Sequence, residues 1–336
     1  MTRQNILLWG IGSSFANDKD IFFSQEFAKQ YNIMACIAAT PPDKDNSVIS
    51  TIPVITKHDI INFAFDKIVI AALPHNLPSI RDDAASVGVP LSKIITADDL
   101  LTAEGAFRSA EYSYCERVQQ EVISNILSAT EEQIHDYEWL YKQICRYGIY
   151  CFNPDWQTLD DSIRWTRYGI MQVPEEFAAF CILLGKLKIS TAIEIGVFRG
   201  KSSYFMCAVL QRLNPTLTYK MVDIRDNLES YATFARLLPS LEKCIPSTSN
   251  DYIGEQYDFV FIDADHSYDA SIKDYYNLGQ YSKVITAFHD IYAHEYDHLN
   301  GGTVRMWNEV SKMETRRAHG VFAKYPNQWM GIGFVI

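Results

Sequence analysis

The stretch that most constrains the fold of this chain is residues 191–203, TAIEIGVFRGKSS. Its β-branched and apolar residues end in Glu194 and two glycines, and a helical pattern begins directly after them. This order is typical of a buried parallel strand, a tight turn and a helix N-terminus. Because open α/β sheets bind ligands at the carboxyl ends of their strands, Glu194, Gly196 and Gly200 are expected to border a ligand site.

The acid and the glycines indicate which kind of ligand the expected site binds. Glycine leaves no Cβ where a ligand approaches the backbone, and the amides of residues 201–204 are expected to face the same crevice. A carboxylate at Glu194 repels phosphate and attracts an amine or a hydroxyl. A ligand with a cationic amino acid part and a ribose therefore fits better than a phosphate group.

Three later stretches add side chains to the same edge of the predicted sheet. YKMVDIRD places Asp223 at the end of a second strand, where an acid can bind both ribose hydroxyls. YDFVFIDADHSYD ends a third strand in acids that begin at Asp263, and VITAFHD ends a fourth strand in His289 and Asp290. The four strand ends are predicted to meet in one crevice.

The spacing E-x-G-x-x-x-G from Glu194 to Gly200, with these strand ends, resembles class I S-adenosylmethionine-dependent methyltransferases from about residue 169 to the end of the chain. The resemblance implies an α/β fold whose C-terminal part is a doubly wound seven-stranded sheet closed by a hairpin with an antiparallel last strand. It also implies S-adenosylmethionine as the cofactor. The residues expected to bind this cofactor are Glu194, Gly196, Gly200, Ser202, Asp223, Ser249, Asp263 and Gln172.

The acids and histidines after the third and fourth strands are expected to carry the chemistry. FIDADH followed by FHD resembles metal-dependent O-methyltransferases, which implies Asp263, His289 and Asp290 as ligands of magnesium or another divalent cation. His266 stands where that group has a basic catalytic residue, and Asp265 where some sugar methyltransferases have their base. His289 departs from the family, which has an acid there. Either a softer divalent ion or a looser magnesium site is used, or no metal binds and His289 is the base, oriented by Asp290.

A competing motif follows the fourth strand. HEYDH, from His294 to His298, matches the H-E-x-x-H signature of zinc proteases. That chemistry needs both histidines on one helical face and a third ligand downstream, but Val304 stands where the longer motif has its third histidine. The segment therefore reads as a loop over the methyl-transfer site, from which Tyr296 or His298 meets substrate.

Residues 1–100 alternate buried strands with helices and predict a smaller N-terminal Rossmann-like α/β domain. Gly10 and Gly12 follow its first strand, but the third glycine of the dinucleotide fingerprint is missing. Thr40 and Pro41 stand where the acid of that fingerprint would be. The segment resembles Rossmann-like modules beside sugar-modifying enzymes, and its ligand stays open.

Residues 101–168 are predicted to form a helical connector and a flap. Thr130 and Gln133 form a T-x-x-Q capping box. The apolar positions of the connector are expected to pack between the two domains or to form a homo-oligomer contact. Trp156, Trp165 and Tyr168 are expected to close over the acceptor. Residues 169–336 then form the methyltransferase domain, in which Pro174 begins a helix.

Charge and cysteine content limit the partners and the compartment. A net charge of -11 over 336 residues argues against nucleic acids and anionic membranes as partners. The seven cysteines include no C-x-x-C pair, which favours a reduced, cytoplasmic protein. The apolar run at residues 6–11 is too short for a signal peptide or a membrane span.

These observations predict an enzyme that transfers a methyl group from S-adenosylmethionine to a hydroxyl of a small molecule. A sugar or a glycosylated natural product is the preferred acceptor, and a divalent metal assists the transfer if the FIDADH and FHD residues bind one. Two alternatives stay open: a non-catalytic nucleotide- or sugar-binding module in polysaccharide assembly, and an NAD(P)-linked oxidoreductase.

Overall fold

A computed structural model gives the fold, and the chain divides into two compact units, Met1–Ser113 and Tyr114–Ile336. The residues that it describes are 3–10, 19, 21–40, 48–72, 76–97, 100, 110–150, 162–313, 318–326 and 328–336. Gly12, Pro41 and Trp156 lie outside the described residues, so the expectations for them stay predictions. Within the described part of the chain, no helix is long and apolar enough to span a membrane.

The first unit contains a six-stranded sheet in the order β3-β4-β2-β1-β5-β6. Its strands are β1 (Gln4–Trp9), β2 (Tyr31–Ile37), β3 (Val48–Ile49), β4 (Ile52–Ile55), β5 (Lys67–Ile70) and β6 (Ile94–Thr96). All pairs are parallel except β3 with β4. Helices α1 (Gln25–Gln30) and α2 (Leu77–Ser86) and the 3₁₀ turns Lys57–Asn62 and Leu91–Lys93 connect the strands. The Rossmann-like prediction is confirmed.

The second unit contains a seven-stranded sheet in the order β12-β13-β11-β10-β7-β8-β9. Its strands are β7 (Thr191–Ile195), β8 (Thr218–Val222), β9 (Leu241–Cys244), β10 (Phe259–Ile262), β11 (Ile285–Phe288), β12 (His319–Phe322) and β13 (Ile332–Val335). β13 runs antiparallel to both of its neighbours, as the sequence predicts, and the other described pairs are parallel. The doubly wound seven-stranded sheet is confirmed.

Eight described α-helices belong to this sheet or lead into it. They are α3 (Ala110–Leu127), α4 (Glu131–Ile134), α5 (Tyr137–Tyr147), α6 (Pro174–Gly185), α7 (Lys201–Leu213), α8 (Tyr231–Leu237), α9 (Tyr268–Asn277) and α10 (Gly302–Met313). The predicted capping box is present at α4, where the Gln133 amide donates to Thr130 Oγ1 and the Thr130 amide donates to Gln133 Oε1. Pro174 begins α6 as expected.

Alternating side chains of the strands fill two separate cores, one on each face of the second sheet. Ala192 of β7 packs in a cluster with residues of α3, α5, α6 and α7. Ile193, its neighbour in sequence, packs in a second cluster with residues of α9 and α10. Because α3 and α5 contribute Val122 and Ile144 to the first cluster, the helical segment before residue 168 shares a core with the methyltransferase-type sheet.

Candidate active site

Four strand ends of the second sheet lie side by side at one edge. Ile195, the last residue of β7, pairs with Val222 of β8 and with Ile262 of β10, and Ile262 pairs with Phe288 of β11. Parallel strands in this register end at the same level, so the residues that follow them meet there. The predicted convergence is therefore observed.

Gly196 and Gly200 frame the turn after β7, and both have left-handed backbone conformations, with φ of +88° and +78°. A Cβ on Gly196 would lie 2.1 Å from the Asp263 carbonyl oxygen, and one on Gly200 would lie 2.7 Å from Tyr204 Cζ. Protein atoms, rather than the expected ligand, fill the space beside both glycines. The turn requires glycine for its own packing, and its contact with a cofactor stays a prediction.

The first turn of α7 follows directly. Ser202 lies there half-buried. The expectation that the Tyr204 amide is available to a ligand is wrong, because this amide donates to the Gly200 carbonyl at 2.9 Å as the first bond of the helix. A ligand at this helix start can therefore use only amides that precede residue 204.

Glu194 is fully buried at the end of β7. Its Oε2 accepts a hydrogen bond from the Tyr219 hydroxyl at 2.7 Å, and its Oε1 has no hydrogen-bond partner among the described residues. Burial raises the pKa of Glu194 to about 8, although the nearby Ser203 hydroxyl and the Tyr219 hydroxyl act in the opposite direction. A buried carboxylate oxygen without a partner fits a ligand that brings a positive charge, such as an ammonium group.

Asp223 follows β8 and lies half-buried beside the glycine turn. Its Oδ2 accepts from the amides of Val197 at 3.1 Å and Phe198 at 2.9 Å, and its Oδ1 accepts from the Arg225 amide at 3.1 Å. The carboxylate therefore connects the ends of β7 and β8. Each oxygen has two lone pairs, so Oδ1 retains acceptor capacity for one hydroxyl.

Ser249, expected beside the cofactor, is almost completely buried in the 3₁₀ turn Ser249–Tyr252. Its hydroxyl donates to Asp274 Oδ1 at 2.5 Å and accepts from Asn277 Nδ2 at 2.9 Å. Burial raises the pKa of Asp274 to about 6. The structure gives Ser249 a role in attaching its turn to α9, and its contact with a cofactor is untested.

Asp263 begins an acid and imidazole cluster at the ends of β10 and β11. Its Oδ1 lies 3.2 Å from His289 Nδ1, and Asp290 Oδ1 lies 3.5 Å from the same nitrogen. His266 Nε2 lies 2.8 Å from Asp290 Oδ2 and 3.9 Å from Asp263 Oδ1. Gln172 Nε2 donates to Asp263 Oδ2 at 3.4 Å, and the expected contact of Gln172 with a cofactor stays a prediction.

Charge compensation governs protonation in this cluster. Burial alone would lower the pKa of both histidines, but the carboxylates of Asp263 and Asp290 outweigh it. The pKa of His266 rises to about 10, and that of His289 rises well above its usual range. Burial would raise the pKa of Asp290, but His289 and His266 hold it well below its usual range. Without a bound cation, both imidazoles therefore carry protons at neutral pH.

Asp263, His289 and Asp290 could also hold a divalent cation. One ligand atom from each of the three lies within 4.8 Å of the other two, and His289 Nε2 is buried without a hydrogen-bond partner in the described structure. Two carboxylates and an imidazole suit a borderline ion such as manganese or iron better than magnesium, which prefers oxygen. The donor set thus fits a divalent cation that accepts nitrogen.

Asp265, the other predicted base, is exposed. Its Oδ1 accepts from the Ser267 amide at 2.8 Å, next to the N-terminus of α9. This bond belongs to the turn that starts the helix, whereas His266 bonds to the cluster itself. The geometry favours His266 over Asp265 as the group that handles a proton.

The HEYDH segment forms a short 3₁₀ turn, His294–Tyr296, rather than an α-helix. His294 Nδ1 pairs with Asp297 Oδ2 at 2.9 Å, and His298 Nδ1 bonds to the Glu295 carbonyl at 2.8 Å. The zinc protease geometry is absent from this described segment. Tyr296 instead stacks on His266, with ring centroids 4.3 Å apart, which places the loop against the cluster.

Glu176 of α6 was not identified as a site residue from the sequence, because its hydrogen-bond partners are remote in the chain. Glu176 of α6 is buried and accepts from the amides of Lys324 at 2.6 Å and Gly331 at 3.2 Å. Burial raises the pKa of Glu176 to about 7, whereas His289 acts to lower it. Glu175 and Glu176 both follow Pro174 in the first turn of α6, and only the inward position of Glu176 distinguishes the two acids.

Of the three aromatic residues expected to close over the acceptor, Trp165 and Tyr168 are described by the structure. Tyr168 is buried and Trp165 is half-buried against the core of the second unit, so neither side chain lines an open cavity.

In the first unit, Gly10 has φ of +95°, and a Cβ there would lie 2.8 Å from the Ala71 carbonyl oxygen. The backbone conformation and this close approach account for Gly10 without a nucleotide.

The strand order, the antiparallel β13 and the glycine turn after the central strand β7 give the second unit the fold that is typical of class I S-adenosylmethionine-dependent methyltransferases. Residues 193–291 match the family described as a methyltransferase domain. Residues 2–95 match a family described as C2185-like, N-terminal. None of the curated proteins compared with the chain matches it.

Solved structures with a similar fold include three O-methyltransferases. A putative O-methyltransferase from Klebsiella pneumoniae has 17% identity and a TM-score of 0.36, and the match covers 48% of this chain and 77% of that one. The enzyme from Streptomyces achromogenes involved in tomaymycin synthesis, solved with S-adenosylmethionine, has 15% identity, a TM-score of 0.37 and coverages of 50% and 81%. The enzyme from Bacillus cereus, solved with S-adenosylhomocysteine, has 12% identity, a TM-score of 0.39 and coverages of 65% and 96%.

Proposed function

We propose that the second unit transfers a methyl group from S-adenosylmethionine to a hydroxyl oxygen of a small molecule. The observation that carries this proposal is the juxtaposition at one sheet edge of the glycine turn and the acid and imidazole cluster. Gly196 lies so close to Asp263 that no Cβ fits between them. A ligand on the turn therefore lies next to groups that can handle a proton.

The cofactor would use the residues around the glycine turn. The unpartnered Oε1 of Glu194 would accept from the amino group of the methionine part, and ionisation of this acid would offset the ligand's positive charge. Asp223 Oδ1 would accept from a ribose hydroxyl. The sulfonium methyl is already electrophilic, so the protein mainly aligns donor and acceptor and removes the hydroxyl proton.

The proton would go to His266 once this side chain is neutral. His266 has Asp290 on one edge and Tyr296 against its face, which fixes the ring. A divalent cation on Asp263, His289 and Asp290 would supply positive charge that lowers the pKa of an acceptor hydroxyl. Without a cation, His289 would be the alternative base, oriented by Asp290.

A sugar or a glycosylated natural product is the narrower expectation for the acceptor. It rests on the D-x-D-H spacing of Asp263 and His266 and on the Rossmann-like first unit. The acidic net charge of -11 favours a small molecule over a nucleic acid, and seven cysteines without a C-x-x-C pair favour a reduced, cytoplasmic setting.

The test is formation of S-adenosylhomocysteine, measured by mass spectrometry, with a panel of sugars, nucleotide sugars, glycosides and catechols. The panel is run with metal-depleted protein and again with magnesium or manganese. Turnover with a hydroxylated acceptor, together with a mass gain of one methyl group, supports the proposal. Cofactor binding without turnover on the panel would favour the non-catalytic binding module, and reduction of NAD(P) would favour an oxidoreductase.

A further inference from the structure

A buried polar network joins the glycine turn to a distant part of the second unit. Lys201, the residue after Gly200, has only 4% of its side chain exposed, and its Nζ lies 3.1 Å from Glu229 Oε2. The same Nζ donates to Gln119 Oε1 of α3 at 3.1 Å. A charged pair taken out of water this far needs further hydrogen bonds, and Gln119 supplies one.

Gln119 continues the network toward the segment that precedes α6. Fully buried, it donates from Nε2 to the Tyr168 carbonyl at 2.7 Å and lies 3.4 Å from the Tyr147 carbonyl. A second connection runs in parallel, since Arg199 Nη1 donates to the Arg167 carbonyl at 3.0 Å and Arg199 Nε lies 3.5 Å from Glu229 Oε1. The turn is thus attached to residues 167 and 168 at two points.

This segment leads into the site. Residues 164–170 are held by backbone bonds to the end of α5, among them Arg164 to Cys145 and Ile170 to Gly148. Two residues later, Gln172 contacts Asp263 Oδ2. A displacement of the glycine turn can therefore reach the acid and imidazole cluster through Gln119 and the chain from 168 to 172.

We propose that Gln119, Lys201 and Glu229 are positioning residues that couple occupation of the cofactor turn to the conformation of residues 162–172. The inference rests on the proposed function, because it requires the cofactor to bind at the glycine turn. Coupling between two sites is reciprocal. If cofactor binding stabilises one conformation of residues 162–172, a substitution that disfavours this conformation lowers cofactor affinity. A merely structural network would change stability without this reciprocity.

Gln119→Glu separates the two halves of the network, because Glu keeps an oxygen for Lys201 but has no hydrogen to donate to the Tyr168 carbonyl. Gln120→Glu is the matched control, since it puts the same charge on the neighbouring, half-buried position of α3. Lys201→Met breaks the network from the other end. Amide hydrogen exchange of residues 164–170 is measured in the full chain, with and without saturating S-adenosylhomocysteine, and affinity is measured by calorimetry.

In the free protein, Gln119→Glu and Lys201→Met should speed exchange at residues 164–170 about tenfold relative to Gln120→Glu. S-adenosylhomocysteine should slow this exchange in wild type and Gln120→Glu but not in Gln119→Glu, whose affinity should fall by a matching factor of about ten. Equal slowing in both glutamate variants would overturn the coupling. If wild type does not bind the ligand, the proposed function fails and the coupling fails with it, whereas ligand binding with equal slowing in both glutamate variants overturns the coupling alone.

Discussion

The side chain of Glu194 indicates how the charge of a bound ligand affects protonation of the site. It is fully buried, one of its oxygens is bonded to Tyr219, and the other has no partner within the described structure. Since burial raises its pKa to about 8, the free protein holds it mostly protonated at neutral pH. An arriving ammonium group would favour the ionised form, so ligand binding and proton release are linked.

This linkage predicts a pH-dependent affinity. Affinity for S-adenosylhomocysteine should rise from pH 6 to pH 8, near the pKa of about 8, because less free energy is then spent on deprotonating Glu194. Glu194→Gln keeps an acceptor for Tyr219 but cannot ionise, so it should bind at least about tenfold more weakly and lose this pH dependence. Calorimetry in buffers of different ionisation enthalpy measures both effects. The exposed Glu242 serves as control through Glu242→Gln, and equal pH dependence in both variants would contradict the role of Glu194.

His266 and Asp265 are adjacent in sequence, yet the structure distinguishes them. His266→Gln should lower kcat by about 10²–10⁴-fold, because the group that takes the proton is lost. Asp265→Asn keeps the acceptor for the Ser267 amide and should change kcat less than about threefold. Initial rates with an acceptor found in the panel provide the measurement. The reverse order of effects would make Asp265 the base.

The protonation of His266 also predicts the pH profile. With a pKa of about 10, His266 is neutral only in alkaline solution when no cation is bound. The kcat of metal-depleted protein should therefore rise with pH toward about 10, and a bound divalent cation should move the rise to lower pH. An identical profile with and without manganese would argue against a cation at Asp263, His289 and Asp290.

The backbone conformation and packing of the turn after β7 require glycine at position 196. Gly196→Ala combines a left-handed φ with a clash against the backbone of Asp263, so it should reduce the free energy of unfolding by about 2–4 kcal/mol. Gly254 has φ of +77° but open space around its Cβ position, so Gly254→Ala should cost only about 1 kcal/mol. Urea denaturation compares the two. Equal losses would mean that strain, not packing, explains Gly196.

The strands and many helix starts could be predicted from the sequence because their signals are local. Runs rich in apolar and β-branched residues indicated β7, β10 and β11, and the Thr130 capping box indicated α4. The polar network of Gln119 could not be predicted, because its partners Tyr168 and Lys201 are 49 and 82 residues away. The purpose of Gly196 was misread for the same reason: a glycine pattern does not reveal which atoms occupy the space beside it.

Among the described residues, the two units have separate hydrophobic cores. The clusters of the first unit contain residues up to Leu100, and those of the second begin at Val122. We therefore propose that the boundary between the two domains lies near the start of α3. This position is later than the domain boundary at residue 100 that the sequence predicts. A fragment of residues 110–336 should fold cooperatively and bind S-adenosylhomocysteine within about threefold of the full chain. A fragment that fails to fold would show that the first unit supports the second.

The most direct test of the central claim is calorimetric titration of the full chain with S-adenosylhomocysteine, before and after chelation. Asp223→Asn removes the charge next to the glycine turn, and Asp226→Asn is its control, because Asp226 is exposed and pairs with Lys243. We predict one site with micromolar affinity, weakened about tenfold or more by Asp223→Asn and unchanged by Asp226→Asn. Absence of binding by the wild-type chain, with and without added divalent cation, would contradict the proposed cofactor site and the proposed methyltransferase function.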